Sequence, residues 1–352
     1  MKNLFFVFSF LGLAACSNST QTDPKSVVNK SDTITFNILF GSCAHQDKPQ
    51  PLLNIATDIK PDAFVYLGDN IYGDTYSMDS LKAKYKRLGE KEEFQKLQAA
   101  TEVLAVWDDH DYGQNDAGRH YPLKQESEAI FLDFWQVDSA DNRRNHPGTY
   151  GVHYIEKEGK KVQILLLDTR YFRDDLVYRT KNDTVGKNDY IPNEVADSTV
   201  LGEAQWNWLK QQLTAPADLR IIASSIQFGH EYNGWESWTN IPHEQNRFLN
   251  LIANTKANHV LFISGDVHWG EISKMENEFT YPIYDITSSG ITQTWYNVEP
   301  NKNRLGEAVR HNNIGSINLV FINKEVKLEL GLIDSTGQKI RSQFVDYFSL
   351  EN

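Results

Sequence analysis

Four apolar segments of the chain are each followed at once by residues that commonly bind metal ions. The segment 63–67 runs into Gly68-Asp69, with Tyr72 three residues further on. The other three run into Gly41-Ser42-Cys43, Asp108-Asp109-His110 and Gly265-Asp266-Val267-His268. Carboxylate oxygens, imidazole nitrogens and a thiolate are donors for divalent and trivalent cations. A single Gly-Asp pair is typical of an ordinary turn, but its repetition predicts a site for more than one metal.

The elements that would position these donors alternate along the chain. Apolar runs predict strands near 33–40, 63–67, 102–106, 162–167, 220–226, 259–263 and 316–332. Helical spacing of apolar residues predicts helices at 52–59, 81–99 with a break at Gly89, 126–136, 202–213 and 246–255. Such alternation indicates an α/β fold, and the segment 317–350 reads as a closing β meander. Because sites in α/β sheets form at the carboxyl ends of strands, we expect the four motifs to meet at one sheet edge.

These motifs, in this order, resemble the alkaline phosphatase D (PhoD-like) family of metallophosphatases. They span residues 41–268, and the segment Leu167-Asp168-Thr169-Arg170 also fits. The resemblance implies an α/β sandwich of two mixed β-sheets flanked by helices, with the metals at the sheet edge. It also implies a phosphoric ester hydrolase of the alkaline phosphatase or phosphodiesterase type, in which a metal-bound hydroxide attacks phosphate monoesters or diesters. Many family members carry an N-terminal β-sandwich, and because only a predicted tether precedes the first motif here, we expect that domain to be absent.

The resemblance assigns roles to individual residues. His110 would contact the phosphate or protonate the leaving group, and Asp69 would bridge two cations. The metal ligands would be Cys43, Asp69, Tyr72, Asp109, Asp266 and His268. A thiolate and a phenolate suit ferric iron better than magnesium or calcium, and the resemblance implies ferric iron with calcium. Zinc or another divalent ion is the alternative.

Several residues near the motifs allow two interpretations. Arg170 could bind the phosphate, since its planar fork matches phosphate oxygens, or it could pair with Asp168. Asp108 and Asp111 could orient His110 or be ordinary loop residues. Two positions depart from the family pattern, which often has an aromatic residue at 70 and an acid at 73; a calcium bound by that acid would need another ligand, such as Asp74. Tyr72 could be a ligand or pack against the sheet, and His45 could support the site or be solvated. Gln227 lies in the region of a further ligand. Three aromatic residues could pack in the core or form a wall for the substrate: Tyr232, Trp235 and Trp238.

The N-terminus predicts export and a lipid anchor. Residues 1–16 contain a basic start, an apolar stretch and the sequence Leu13-Ala14-Ala15-Cys16. This layout is typical of a secretory signal, and the Cys after small residues resembles a bacterial lipobox, with Cys16 lipidated. Residues 17–32 read as a flexible tether, and residues 33–352 as a single metallophosphatase domain. We therefore expect an exported lipoprotein of the bacterial cell envelope, on either the periplasmic side or the outer membrane.

Charge and cysteine use narrow the function classes. The formal net charge is −12, which argues against nucleic acid or an anionic membrane surface as the main partner. Contact with the membrane would run through the lipid anchor only, and the partner would be a small-molecule phosphate ester. If Cys16 carries lipid, Cys43 is the one cysteine left, which favours a metal ligand over a disulfide. Two alternative functions stay open: a phospholipid phosphodiesterase of the phospholipase D kind, and a surface lipoprotein that binds metal or phosphate without turnover.

Overall fold

The computed structural model describes Met1 and residues 33–183, 187–322 and 325–345. The predicted signal and tether, apart from Met1, lie outside the described residues, and so does the chain after Val345. In the part of the chain that is described, no helix has both the length and the apolar character needed to cross a membrane.

Two six-stranded mixed sheets form the body of the protein. The first sheet has, in spatial order, β14 (Lys339–Phe344), β13 (Glu325–Asp334), β12 (Asn313–Ile322), β1 (Thr33–Gly41), β2 (Ala63–Leu67) and β3 (Glu102–Val106). The second has β10 (Gly270–Met275), β11 (Ile283–Ser288), β9 (Val260–Ser264), β8 (Leu219–Ala223), β5 (Lys160–Leu166) and β4 (Gly151–Lys157). A small separate pair consists of β6 (Val177–Tyr178) and β7 (Tyr190–Ile191).

Helices cover the outer faces of both sheets. They are α1 (Pro51–Ile59), α2 (Met78–Gly89), α3 (Glu92–Ala100), α4 (Asp109–Tyr112), α5 (Lys124–Phe134), α6 (Gly202–Thr214) and α7 (Pro242–Thr255). Short 3₁₀ turns lie at Asn142–Arg144 and Trp238–Asn240. Strand β2 shows why this layering forms. Its five residues are all buried, with Val65 in the core between the sheets and Phe64 in the core under the helices. A strand covered on both faces is a continuous apolar run rather than an alternating one.

The predicted fold class is confirmed. The meander is present, because β12, β13 and β14 pair antiparallel in succession. The helix break at Gly89 is also present, since α2 ends there and α3 begins at Glu92. Strands β4, β10 and β11 were not predicted, and the strand predicted at 220–226 ends at Ala223.

The four motifs meet at a junction between the two sheets. Strands β1, β2 and β3 lie side by side and parallel in the first sheet, while β9 belongs to the second. The loops after β1 and β2 are joined by hydrogen bonds from Cys43 N to Gly68 O (3.3 Å) and from Ala44 N to Asp69 O (2.8 Å). The expectation of one sheet edge is therefore wrong in this detail, because the edges of two packed sheets contribute.

Candidate metal centre

The loop after β9 packs directly against the loops after β1 and β2. A Cβ atom at Gly265 would lie 2.5 Å from Ser42 Oγ and 2.9 Å from Leu67 O. Only glycine, which has no side chain, permits so close an approach. The Gly-Asp sequence at this loop thus has a packing role as well as a chemical one.

One group of donors surrounds Cys43. Ligand atoms of Cys43, Asp69 and His268 lie within 4.8 Å of one another. The Cys43 thiol donates to Asp69 Oδ2 at 3.4 Å, and the Tyr72 hydroxyl lies 3.2 Å from His268 Nε2. Four of the six predicted ligands therefore converge here, and the Tyr72 hydroxyl lies within this group rather than in the core.

A second group shares Asp69 with the first. Donor atoms of Asp69, Asp109 and His110 lie within 4.8 Å of one another, and so do those of Asp108, Asp109 and Asp266. Asp69 therefore joins the group around Cys43 to Asp109 and His110, and Asp109 in turn joins it to Asp108 and Asp266, a position compatible with the predicted bridging role of Asp69. The structure thus brings all six predicted ligands together and adds Asp108, whose role the sequence left open.

The two donor groups together form a cage, and buried oxygens without hydrogen-bond partners indicate that this cage fits cations. Asp69 Oδ1, Asp108 Oδ2 and Asp109 Oδ1 are buried without a hydrogen-bond partner among the described residues. An unpaired buried carboxylate oxygen is costly. Cations that take oxygen, nitrogen and sulfur donors would satisfy all three.

Backbone strain is concentrated at the same positions. Cys43, Asp69, Asp266 and His268 have positive φ angles of 60°, 49°, 71° and 62°. Residues other than glycine rarely adopt this region, and such strain clusters at functional sites. The three loops that carry these residues therefore hold their donors in place with a strained backbone.

The donors have strongly shifted pKa values. Burial raises the pKa of the Cys43 thiol to about 12 and raises the pKa of Asp69 and Asp266 well above the usual range. Burial lowers the pKa of His268 to about 4, so its imidazole is neutral and keeps a lone pair to donate. A bound cation has the opposite effect on the acids, because it favours carboxylate and deprotonates a coordinating thiol.

His110 lines the cavity beside this cage and is oriented by Asp74. His110 Nδ1 donates to Asp74 Oδ1 at 2.7 Å, which leaves Nε2 for the cavity. Burial alone would lower the pKa of His110, but Asp69, Asp109 and Asp74 together raise it far above 6.5. The role considered for Asp74 as a calcium ligand has no support in this contact, because its carboxylate binds the histidine.

Sequence and structure comparisons place this geometry in a known family. A family model described as PhoD-like phosphatase matches residues 38–313. The chain belongs to this family. Alkaline phosphatase D of Bacillus subtilis (strain 168) is 26% identical over 199 residues, which make up 51% of this chain and 33% of that protein. The chain therefore spans about a third of the length of this curated relative.

Solved structures show the same fold. A structure of PhoD matches with a TM-score of 0.66 and 17% identity, covering 90% of this chain and 73% of that one. GAP50, the anchor in the inner membrane complex of Plasmodium, matches with a TM-score of 0.54 and 14% identity over 89% of each chain. A dimetal phosphatase from Danio rerio has a TM-score of 0.51 and 14% identity, covering 89% of this chain and 99% of that one.

In this PhoD-like chain, Arg170 is buried away from the cavity. Its Nε donates to Asp108 Oδ1 at 2.6 Å and its Nη1 to Glu236 Oε1 at 2.7 Å. Asp168 does not bind the guanidinium but accepts from the Arg170 backbone N at 2.9 Å. Arg173 also binds Glu236, at 3.0 Å. These contacts favour a role in holding Asp108 beside the cage, and the predicted phosphate contact stays a prediction.

Other residues near the motifs support the loops. Asp111 does not orient His110; its carboxylate binds Asn70 Nδ2 at 2.6 Å and the Asp69 backbone N at 3.2 Å. The departure from the family pattern at position 70 thus has a structural use, because Asn70 ties the Asp69 loop to Asp111. His45 stacks on the Tyr72 ring with 5.0 Å between centroids, which agrees with support of the site rather than with a solvated side chain.

The other residues with two interpretations lie either in the interior of the protein or on the wall of the cavity beside the donor groups. Gln227 does not line the cavity, since its amide donates to Glu271 at 2.8 Å and to Thr287 at 3.0 Å. Trp238 is fully buried in the core under α7. Trp235, in contrast, lines the cavity of about 140 Å³ that contains Asp69, Asp109, His110, Asp266 and His268. Sequence reasoning missed Asp116 and Glu236, which also line it, because no apolar strand precedes either residue.

Proposed function

We propose that this protein is a metal-dependent phosphoric ester hydrolase that acts on phosphate monoesters or diesters. The observation that carries the proposal is the convergence of donors from four loops into two groups that share Asp69, with donors from three of these loops lining one cavity. Family membership and the fold of the dimetal phosphatase support it. Bound cations would supply positive charge for the phosphoryl oxygens and activate the nucleophile.

The chain's own residues would divide the remaining tasks. Cys43, Asp69, Tyr72, Asp109, Asp266 and His268 would hold the cations, with Asp108 as an additional oxygen donor. His110, protonated and held by Asp74, would donate a proton to the leaving oxygen through Nε2. Arg170 would keep Asp108 in place within the anionic cluster.

We propose ferric iron at the group around Cys43 and calcium at the carboxylate group. A thiol and a phenol meet at the first group, through Cys43 and Tyr72, and soft or strongly anionic donors favour iron over calcium. The second group offers carboxylate oxygens from Asp108, Asp109 and Asp266, which suit a hard cation. Zinc, which also takes thiolate and imidazole, is the alternative at the first group.

An assay of the purified protein tests the proposed function. The wild type, supplied with iron and calcium, should release p-nitrophenol from p-nitrophenyl phosphate, from bis-p-nitrophenyl phosphate, or from both. Asp69→Asn removes the shared carboxylate charge and should abolish release together with the bound metal. Asp79→Asn is the matched control, because Asp79 is an exposed residue in the first turn of α2; it should behave as wild type.

The same assay separates the alternatives. Hydrolysis of phosphatidylcholine in vesicles, without hydrolysis of the aryl esters, would favour the phospholipid phosphodiesterase. A protein that binds metal but hydrolyses none of these esters would contradict the enzyme and favour a non-catalytic binding role. GAP50, whose name describes an anchor, has a similar fold, so the assay rather than the fold has to decide between these outcomes.

We also propose export to the bacterial cell envelope and anchoring through a lipid on Cys16. The support is the leader sequence and its Ala14-Ala15-Cys16 ending. Cys16→Ser should move the protein from the membrane fraction to the soluble fraction, whereas Ser17→Ala should leave it membrane-bound. Membrane retention of Cys16→Ser, with no lipid detected on the wild type, would contradict the anchor.

A further inference from the structure

A second cavity of about 500 Å³ adjoins the metal cavity and shares a wall with it. Trp235 and Trp295 line both cavities. Their rings meet edge to face, with 5.5 Å between centroids. The Trp295 ring also lies 4.7 Å from the ring of His268, one of the candidate ligands. An ester bound at the metals would therefore have this aromatic wall within reach of its organic group.

The wall is fixed by the same loops that hold the metal donors. Trp295 N donates to His268 O at 2.9 Å, and Thr292 N, three residues earlier, donates to Cys43 O at 3.1 Å. Trp235 directly precedes Glu236, which Arg170 and Arg173 hold by ion pairs. Both tryptophans are thus pre-positioned, although Trp295 is 40% exposed and could face a ligand. An exposed, rigidly mounted tryptophan beside a reaction site is a natural binding surface for an apolar face.

The residues that line the second cavity favour one kind of organic group in the ester. Beyond the two tryptophans and Tyr296, the cavity is lined by polar residues that include Asn188, Asn297 and Glu299. The apolar lining thus consists of aromatic rings and is bounded by amides and a carboxylate. A flexible acyl chain could cover the rings but would leave these hydrogen-bonding groups without partners. A planar ring with hydrogen-bonding groups at its edge matches both parts of the lining.

The carboxylates that line the two cavities further restrict the charge of the ligand. Asp116, Asp189 and Glu236 line the metal cavity, and Glu299 lines the second one. Glu236 is paired with Arg170 and Arg173, but the other carboxylates repel additional phosphate groups at positions away from the cations. A substrate with one phosphoryl group and an uncharged organic group is therefore favoured.

We propose that Trp235 and Trp295 form a specificity subsite for a planar heteroaromatic ring carried by the alcohol of the phosphate ester. This inference rests on the proposed hydrolase function and deepens it by naming the substrate class, esters of nucleoside-like alcohols. The face of one tryptophan stacks on the ring, the other tryptophan contacts the ring at an angle, and the polar rim binds its edge. The subsite would bind the substrate's organic group while the cations and His110 act on its phosphoryl group.

Matched esters test the subsite. Thymidine 5′-phosphate and glycerol 3-phosphate are both esters of primary alcohols, and only the first carries a ring; each is also assayed as its methyl diester. Trp295→Leu and Trp235→Leu should lower kcat/KM for the thymidine esters by roughly 5- to 100-fold, the range that stacking of one base provides. The glycerol esters should change less than about twofold, because they make no stacking contact.

Two further variants control for loss of an aromatic ring in general. Trp295→Phe keeps a stacking face and should recover most of the thymidine activity. Phe344→Leu removes a ring that is 57% exposed on β14 and does not line either cavity, so it should leave both substrates unchanged. Equal losses for thymidine and glycerol esters in Trp295→Leu, or no loss at all, would overturn the subsite.

A binding measurement separates the subsite from the hydrolase proposal. Calorimetry with metal-loaded protein uses the phosphonate analogues of both esters, in which carbon replaces the ester oxygen and turnover is impossible. Tighter binding of the thymidine analogue, weakened in Trp295→Leu, supports the subsite even if the wild type hydrolyses nothing, in which case only the hydrolase proposal falls. Equal binding of the two analogues, or binding that Trp295→Leu does not change, overturns the subsite whatever the activity.

Discussion

Asp74 distinguishes His110 from the other imidazoles near the cavity. The 2.7 Å contact with Nδ1 fixes the ring and its tautomer, and the Tyr72 ring lies against it with 4.4 Å between centroids. His268, by contrast, has its Nε2 next to the Tyr72 hydroxyl in the donor group. The two imidazoles therefore have different hydrogen-bond partners, which agrees with the proposed roles of His110 as proton donor and His268 as metal ligand.

We predict that His110→Ala lowers kcat by about 10²- to 10⁴-fold, the span usual for loss of a general acid. Asp74→Asn should lower kcat by roughly tenfold or more, because the neutral amide holds the imidazolium less firmly. Metal content should not change in either variant. Steady-state kinetics with metal analysis checks this prediction, with Asp79→Asn as the exposed control. Loss of metal in His110→Ala would make His110 a ligand instead.

From the proposed binding of ferric iron by Cys43 and Tyr72, we predict that the protein absorbs visible light. Thiolate and phenolate donors on ferric iron give ligand-to-metal charge-transfer bands, so the purified holoprotein should be coloured. Tyr72→Phe and Cys43→Ser should each shift or bleach the band and lower iron content, whereas Tyr76→Phe, at an exposed residue, should leave the spectrum unchanged. Absorption spectra with metal analysis measure this. A colourless and fully active enzyme containing zinc would contradict iron and leave the hydrolase standing.

At the scale of elements, the strand ends could be predicted because each motif is a local pattern. An apolar run of about five residues followed by Gly, Asp, Cys or His is visible within ten residues of sequence. Strand β10 gave no such signal, since its buried Glu271 pairs with Arg304 and Gln227. The pairing of Arg170 with Glu236 likewise joins residues 66 positions apart. Contacts at that separation are made by tertiary packing, which no short pattern contains.

Gly68 links the end of β2 to the site, and its replacement tests how tightly the two are joined. It has φ +92°, and a Cβ atom there would lie 2.4 Å from Asp108 Cβ and 2.8 Å from Asp108 N. Gly68→Ala should reduce the free energy of unfolding by about 2 to 5 kcal/mol through strain and overpacking. It should also reduce hydrolysis, because Asp108 must move. Urea denaturation and the ester assay measure the two effects.

Gly159 provides the matched control for this substitution. Its φ is +80°, but a Cβ atom would find no atom within 4 Å. Gly159→Ala should therefore show the backbone strain alone, about 1 to 2 kcal/mol, with unchanged hydrolysis. If the two variants were equally stable and equally active, close packing between Gly68 and Asp108 would not matter.

At the scale of the whole molecule, the fold gathers carboxylates of an acidic chain at the place where an anionic ester is proposed to bind. The formal net charge is −12, and buried carboxylates from both sheets meet at the junction. An anionic ester would be repelled unless cations are bound. We therefore expect substrate binding at this junction, like catalysis, to require bound metal.

The stability of the whole protein should also depend on pH through His230. This residue follows β8, is 1% exposed, and accepts from Tyr232 N through Nδ1 at 3.1 Å. Burial, with smaller contributions from Arg304 and Lys187, lowers its pKa from 6.5 to about 3. Below pH 6.5 the unfolded chain therefore binds a proton that the folded chain does not. Stability should fall as the pH decreases from 6.5 towards 3.

We predict that His230→Gln makes the free energy of unfolding less sensitive to acid. Between pH 7 and pH 5 the wild type should lose roughly 2 kcal/mol more than this variant, which is the linkage expected for one such histidine. Urea denaturation at both pH values, with chelator present so that metal release does not contribute, measures the difference. His120→Gln is the control, because the His120 side chain is 69% exposed, and it should keep the wild-type dependence. Since the comparison uses the change with pH, a general destabilisation by His230→Gln does not affect it; an unchanged pH dependence in that variant would show that His230 is protonated in the folded protein as readily as in the unfolded chain.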